Sequence, residues 1–304
     1  MLEAGREGER NASVPDLLGR VGIFARMIKF SHTVFALPFA LAAVLLARRD
    51  HPLSFSLLFW ILVAMVGARS AAMGFNRIVD ARYDARNPRT SNRAIPRGTI
   101  SVRAAALFVV LFSALFVLAA AMISPLCFFL SFPVLGVLFF YSYTKRFTTF
   151  SHLFLGFGIS LAPLGAWIAV TGGIDWPVLT LSMALLTYIA GFDILYACQD
   201  TAFDRQAGLF SLPARFGVGT ALQVSTLLHV CSFLFFFLVF IVFDMGLPYM
   251  AALFLIGALM VAEHSLVRPH DLSRIDLAFF HVNSAISLTL FFGVLANEIA
   301  RGIH

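Results

Sequence analysis

Long apolar runs separated by short polar gaps occupy almost the whole chain. Stretches that approach the ~20 residues needed to cross a bilayer lie at 33–47, 53–74, 104–121, 125–142, 152–171, 176–198, 218–243, 248–267 and 278–299. This pattern predicts an all-α, polytopic membrane protein built as a nine-helix bundle. Most linkers between the runs are short. Two are long and polar, 75–103 and 199–217, and both contain paired aspartates.

Composition supports lipid as the main solvent. Of 304 residues, 60% are apolar, 12% are charged and 34 are Phe, whereas a soluble domain carries roughly 25% charge. The first thirty residues contain Arg6, Arg10, Arg20, Arg26 and Lys29 and no early apolar run. Residues 1–30 therefore read as a cytoplasmic N-terminal segment rather than a cleaved signal. The net charge of +6 could suggest nucleic acid, but the basic residues alternate with apolar spans and form a topology signal instead.

With the N-terminus inside, eighteen Lys and Arg fall on the cytoplasmic side, seven of them in 75–103, and three on the other: Arg48, Arg49 and Arg301. Arg69 lies within a span. The positive-inside rule then puts both aspartate-bearing linkers in the cytoplasm. Cys127, Cys198 and Cys231 lie in or beside apolar segments without CxxC spacing, which predicts free thiols. Gly172-Gly173 and Pro248 mark outer turns, and Trp167 and Trp176 bracket one of them as interface anchors.

The aspartates carry the candidate chemistry. Asp80 and Asp84 are four residues apart, as are Asp200 and Asp204. Helical residues at that spacing share a face, and Asn76 lies one turn before Asp80. Each array offers hard oxygens suited to Mg²⁺, which is usually completed by water and substrate phosphates. One such pair is adequately explained by helix-end carboxylates neutralised by nearby arginines such as Arg82 and Arg205. Two pairs on one side, each preceded by Gly-Phe (Gly74-Phe75 and Gly191-Phe192) and followed by a Pro/Arg/Gly cluster, point to one site with two halves. The similar framing suggests a parallel internal repeat. Lys145 closes the run Tyr141-Ser142-Tyr143-Thr144-Lys145 and is one of two lysines in the chain. It reads either as a boundary lysine beside belt tyrosines or as a point charge for diphosphate. His152, His229 and His281 sit singly in apolar spans and read as core residues, and the segment holding Glu263, His264, His270, Asp271 and Asp276 reads as a mixed loop.

Asn76-x3-Asp80-x3-Asp84 with Arg93-x2-Pro96, Tyr141-x3-Lys145, and Asp193-x6-Asp200-x3-Asp204 together resemble the signatures of the UbiA superfamily of intramembrane aromatic prenyltransferases. The resemblance covers nearly the whole chain and keeps the family's order. It implies a UbiA-like domain over 31–304 whose cavity opens to the cytoplasm. Asn76, Asp80, Asp84, Asp200 and Asp204 would hold Mg²⁺-diphosphate, and Lys145 with Tyr141 would bind the diphosphate. Asp193 would share the cavity and orient Lys145, while Arg26, Arg77 and Arg93 are the basic residues expected near diphosphate or acceptor. Many members have Asp directly after the first Asn, where this chain has Arg77. The implied reaction is transfer of a polyprenyl group from its diphosphate to an aromatic acid in quinone biosynthesis. The acceptor is 4-hydroxybenzoate or, in the futalosine route to menaquinone, 1,4-dihydroxy-6-naphthoate.

The run Phe30-Ser31-His32-Thr33-Val34-Phe35-Ala36-Leu37-Pro38 is similar to a bacterial subgroup, which implies the bacterial inner membrane. A cation-coupled secondary transporter is the competing class. It expects acids near the bilayer midplane, whereas these cluster at helix ends. A CDP-alcohol phosphotransferase would need an Asp-Gly-x2-Ala-Arg run, which the chain lacks.

Overall fold

A computed structural model describes residues 17–28 and 30–302. Most of the 1–30 segment, including Arg6 and Arg10, lies outside the described residues, as do Lys29 and the side chains of Arg20 and His32.

A short helix α1 (Leu17–Met27) and a 3-10 turn (Phe30–Phe35) lead into α2 (Leu37–Ala47). Then come α3 (Phe55–Arg86), α4 (Val102–Ile123), α5 (Pro125–Thr144), α6 (Ser151–Thr171) and α7 (Trp176–Ala197). A 3-10 turn (Cys198–Asp200) joins α7 to the short helices α8 (Thr201–Gln206) and α9 (Leu212–Phe216). The chain ends in α10 (Val218–Val242), α11 (Leu247–Leu266), a π-helical turn (Leu277–Val282) and α12 (Asn283–Gly302). The described residues contain no named strand.

Turn chemistry explains where the helices stop. Ser54, Ser101 and Ser124 each accept a hydrogen bond from the backbone N–H three residues on, which satisfies an otherwise orphaned donor. Ser124 is at once the last residue of the α4 turn and the cap of α5, so these two helices reverse in a single residue. Between α6 and α7, Gly172 has φ +78°, a left-handed conformation that closes α6.

Among the described residues, eight helices are long and apolar enough to cross a membrane. The first expected span is a shorter apolar helix over 33–47, so the nine expected helices are eight full-length candidates and one short one. Two boundaries also move. The expected 53–74 span continues unbroken to Arg86, and 176–198 runs on to Gln206 through the 3-10 turn. At 1.5 Å per residue the 32 residues of α3 extend about 48 Å, well beyond a hydrocarbon core of about 30 Å. The polar stretch therefore begins as protruding helix rather than loop.

Helix α7 is the centre of the bundle, packed between α6 and α10. Leu181, Ala184, Leu185, Tyr188 and Ile189 on it are fully buried. Small residues set the close approaches. A Cβ on Gly156 would meet the Leu186 carbonyl of α7, and a Cβ on Gly191 would meet the His229 ring of α10. Gly74 of the other Gly-Phe step likewise faces the following helix, with a Cβ only 2.9 Å from Val109 of α4. Gly74 and Gly191 thus each permit a close helix approach. Outward-facing Leu111, Phe129, Leu234 and Phe254 remain exposed, as a lipid-solvated surface requires. Trp167 is buried and donates to Asp175 at 3.1 Å, so it is a packing residue, whereas Trp176 is exposed. Cys127, Cys198 and Cys231 are free thiols, but only Cys198 is buried.

Glu263 and His264 lie on α11 rather than in a loop. Glu263 is buried and accepts from Asn283 Nδ2 at 2.8 Å, while His229 and His264 contact each other at 2.9 Å. His229 is thus the expected core histidine.

Arg49 pairs with Glu298 of α12 and bonds the Phe243 carbonyl after α10. This ties the α2, α10 and α12 ends together at the pole away from the aspartates.

Candidate active site

The aspartates lie on the last turns of α3 and on the α7–α8 junction, where apolar helix gives way to polar chain. Asp80 and Asp84 share a face of α3, as their spacing requires. Asp200 and Asp204 do not lie on one regular helix, because Asp200 ends the 3-10 turn and Asp204 sits on α8. Both Asp200 and Asp204 are nevertheless buried.

Each carboxylate is matched with a different cation. Arg93 places Nη1 2.6 and 2.7 Å from the two oxygens of Asp84. Arg146 reaches Asp80 at 3.0 Å, and Asn76 donates to the other Asp80 oxygen at 3.0 Å. Asp200 is paired with Arg89, whose Nε lies 2.9 Å from Oδ1, and also receives Asn87 Nδ2 at 2.9 Å. Lys145 lies 2.9 Å from Asp204 Oδ2 but off the hydrogen-bond axis, so both buried Asp204 oxygens lack an aligned donor. Arg82 is exposed, and Arg205 donates to the Ala214 carbonyl. The expectation that those two arginines neutralise the pairs is corrected to Arg89, Arg93, Arg146 and Lys145.

These cations are themselves anchored. Arg146 donates to the Ser142 and Val79 carbonyls at 2.7 and 2.9 Å and lies over the Tyr83 and Tyr143 rings. Burial opposes the charge on Arg89, but bonds to Asp200 and Tyr196 outweigh it and hold its pKa above the usual arginine range. Its Nη1 donates to Tyr196 Oη at 2.7 Å. Tyr196 in turn stacks on Phe279 of the π-helical turn, with centroids 4.0 Å apart.

Asp193 is paired with His152 at 2.7 Å, so the expected partnership between Asp193 and Lys145 is corrected. The Leu212 N–H points at His152 Nε2 from 3.5 Å. Nε2 therefore carries the lone pair, and Nδ1 donates to the carboxylate. His152 is a site residue and not only a core one.

Two cavities adjoin the cluster. An apolar one of about 210 Å³ extends from Tyr141 down to Ile123, Cys127 and Ile168, with Arg69 as the charged residue in its lining. A basic one of about 320 Å³ is lined by Arg26, Arg77, Arg93 and Arg97. Arg77 is buried and donates from Nε to the Met27 carbonyl at 3.2 Å.

The donor set suits a hard divalent cation. Asn76 and four carboxylates are all oxygen ligands, and Asp204 has two buried oxygens with no aligned donor. Among the described residues no group of three acidic, His or Cys side chains forms a ready-made cage. That is the arrangement expected where substrate phosphates and water complete the shell.

Sequence reasoning missed Arg69, Asn87, Arg89, Arg146 and His152. Arg146 adjoins Lys145 and was within reach of a motif reading. Arg89 is one of seven arginines in 75–103, and nothing local distinguishes it.

The sequence matches the family model described as the UbiA prenyltransferase family over residues 36–285. It is 30% identical to 4-hydroxybenzoate octaprenyltransferase of Vibrio atlanticus, over 82% of this chain and 88% of that protein. A UbiA homolog from Aeropyrum pernix K1, in its apo structure, superposes with a TM-score of 0.80 at 29% identity, covering 87% of this chain and 97% of that one. A UbiA homolog from Archaeoglobus fulgidus, bound to GPP and Mg²⁺, has the same fold, with a TM-score of 0.64 at 19% identity over 90% of this chain and 99% of that one.

Proposed function

Since the chain belongs to the UbiA prenyltransferase family and is a multi-pass membrane prenyltransferase, we propose that it moves a polyprenyl group from polyprenyl diphosphate to an aromatic acid. The acceptor is 4-hydroxybenzoate or a related quinone precursor. The supporting observation is the placement of four carboxylates, each with its own cation, at one end of an apolar cavity.

The diphosphate belongs at the polar end and the tail in the cavity. Asn76, Asp80, Asp84, Asp200 and Asp204 would hold Mg²⁺, which supplies charge to the departing pyrophosphate when bound. Lys145, released from Asp204, donates to diphosphate oxygens, and Arg89, Arg93 and Arg146 are within the same cluster to do likewise. The allylic C–O bond breaks with its electron pair going to pyrophosphate. The electron-rich ring then attacks the allylic carbon and loses its ring proton.

Tyr141 sits where cavity and carboxylates meet and keeps water from the cation. Asp193, fixed by His152, is near enough to Tyr141 to act on it electrostatically. Arg69, within an otherwise mostly apolar lining, offers a guanidinium fork to the acceptor carboxylate. Arg93, bonded to Asp84, lies at the diphosphate end, and Arg26 and Arg77 line the basic pocket beside it. The charge asymmetry of the sequence supports a cytoplasm-facing site in a bacterial inner membrane, with lipid supplying the prenyl donor.

The test incubates purified protein and a polyprenyl diphosphate with 4-hydroxybenzoate, 1,4-dihydroxy-6-naphthoate and other aromatic acids, with Mg²⁺ or EDTA. A prenylated product by mass, absent in EDTA, is expected. Full turnover by Asp80→Ala and Asp200→Ala would refute the role of both arrays.

A further inference from the structure

The arginine-lined pocket lies beside the aspartate cluster and does not share a single lining residue with the apolar cavity. It is bounded by α1, by α3 at Arg77 and by the segment after α3 that carries Asn92, Arg93, Arg97 and Thr99. None of its described lining side chains is a carboxylate. Arg93 is matched by Asp84, Arg77 donates from Nε to the Met27 carbonyl, and Arg26 and Arg97 are exposed at the rim. Arg77 itself is 6% exposed; Asp80 and Asp84 act on it from a distance, but among the described residues no carboxylate forms an ion pair with it, so its buried charge favours an anion in the adjoining space. Several planar donor forks around one space are suited to phosphate oxygens, and Asn92 and Thr99 add neutral donors.

We propose that this pocket is a metal-independent binding site for a phosphate-class anion, separate from the aspartate cluster. Its position one arginine away from Asp84 suits pyrophosphate that has left the aspartates and is on its way out. That occupant rests on the prenyl-transfer reading, whereas the binding itself does not. A phospholipid headgroup carries the same chemistry, since α1 and the rim arginines lie at the polar end of the spans.

The experiment measures inorganic pyrophosphate binding to the purified full chain in detergent with EDTA, by calorimetry and thermal shift. Wild type is expected to bind and be stabilised. Arg26→Ala and Arg97→Ala, both exposed and so harmless to folding, should each weaken binding about tenfold or more. Lys145→Ala, outside the pocket's lining, should weaken it far less than either arginine variant. A parallel arm compares nanodiscs of phosphatidylglycerol with zwitterionic ones. Stabilisation there alone, with the same arginine dependence, identifies the headgroup as the source of the phosphate and supports the site. The proposal is overturned if neither ligand binds. It also fails if binding survives both arginine variants, or if Lys145→Ala weakens it as much as they do, because the anion would then sit among the aspartates. Pyrophosphate binding without any prenyl transfer would instead sink the functional reading and leave the pocket standing.

Discussion

Lys145 and Asp204 show how the site spends its charges. Asp204 is almost wholly buried with two oxygens that lack an aligned donor, and Lys145 is the cation beside it. Removing the lysine leaves a buried carboxylate without its counter-ion, which is more costly than removing both charges. Lys145→Ala is therefore expected to lose turnover by about a hundredfold or more and to lower the melting temperature. Adding Asp204→Asn should restore the melting temperature but not the turnover. Equal melting temperatures for wild type and Lys145→Ala would show that the pair does not stabilise the fold.

Arg69 gives a second test at this scale. If its guanidinium holds the acceptor carboxylate, Arg69→Gln raises KM for the aromatic acid about tenfold or more, with KM for the prenyl diphosphate unchanged. Equal effects on both substrates would remove Arg69 from the acceptor's contacts. The motif residues Asn76, Asp80, Asp84, Lys145, Asp193, Asp200 and Asp204 were all legible in the sequence. Their partners were not, because which cation meets which carboxylate depends on contacts between residues as distant as Arg89 and Asp200.

At the scale of helices, hydropathy located the spans well but not their ends. Asp80 and Asp84 fall in a stretch too polar to count as membrane, yet helical hydrogen bonding continues through it to Arg86. Hydropathy reports the solvent around a segment, and helix termination reports capping, so the two boundaries need not coincide. The 3-10 turn before α8 was invisible for a similar reason, since Cys198-Gln199-Asp200 carries no Gly or Pro to announce a change of winding.

The two Gly-Phe steps were legible in the sequence, and the physical content of their glycines is close helix approach. The His229 ring that faces Gly191 is held by His264 and the Tyr188 carbonyl, so it cannot swing away from an added methyl. Gly191→Ala should cost about 1–3 kcal/mol. Gly136→Ala on α5, where nothing lies within 4 Å of the new Cβ, should be neutral or slightly stabilising. Thermal unfolding of both variants in detergent checks the contrast, and equal losses would contradict the packing account.

For the whole molecule, the bundle has two chemically distinct poles. One gathers the aspartates and their cations. The other ties Arg49 to Glu298 and Arg301 to Asp244. On the count of basic residues we propose that the first pole faces the cytoplasm, and labelling can check it. With Cys127, Cys198 and Cys231 replaced by Ala, Arg97→Cys should react with an impermeant maleimide in inverted vesicles and not in right-side-out ones. The reverse pattern would invert the topology and put diphosphate on the wrong side of the membrane.

Order of synthesis gives the Tyr196–Phe279 stack a further meaning. Arg89 emerges first, Asp200 and Tyr196 more than a hundred residues later, and Phe279 later still. The ring that steadies Arg89 against Asp200 is thus itself steadied by a segment made after it. A chain cut short before the π-helical turn keeps every signature motif and every aspartate. It has no Phe279 face to brace Tyr196, so a truncated copy inserted in the membrane is poorly set to grip a diphosphate before synthesis is finished.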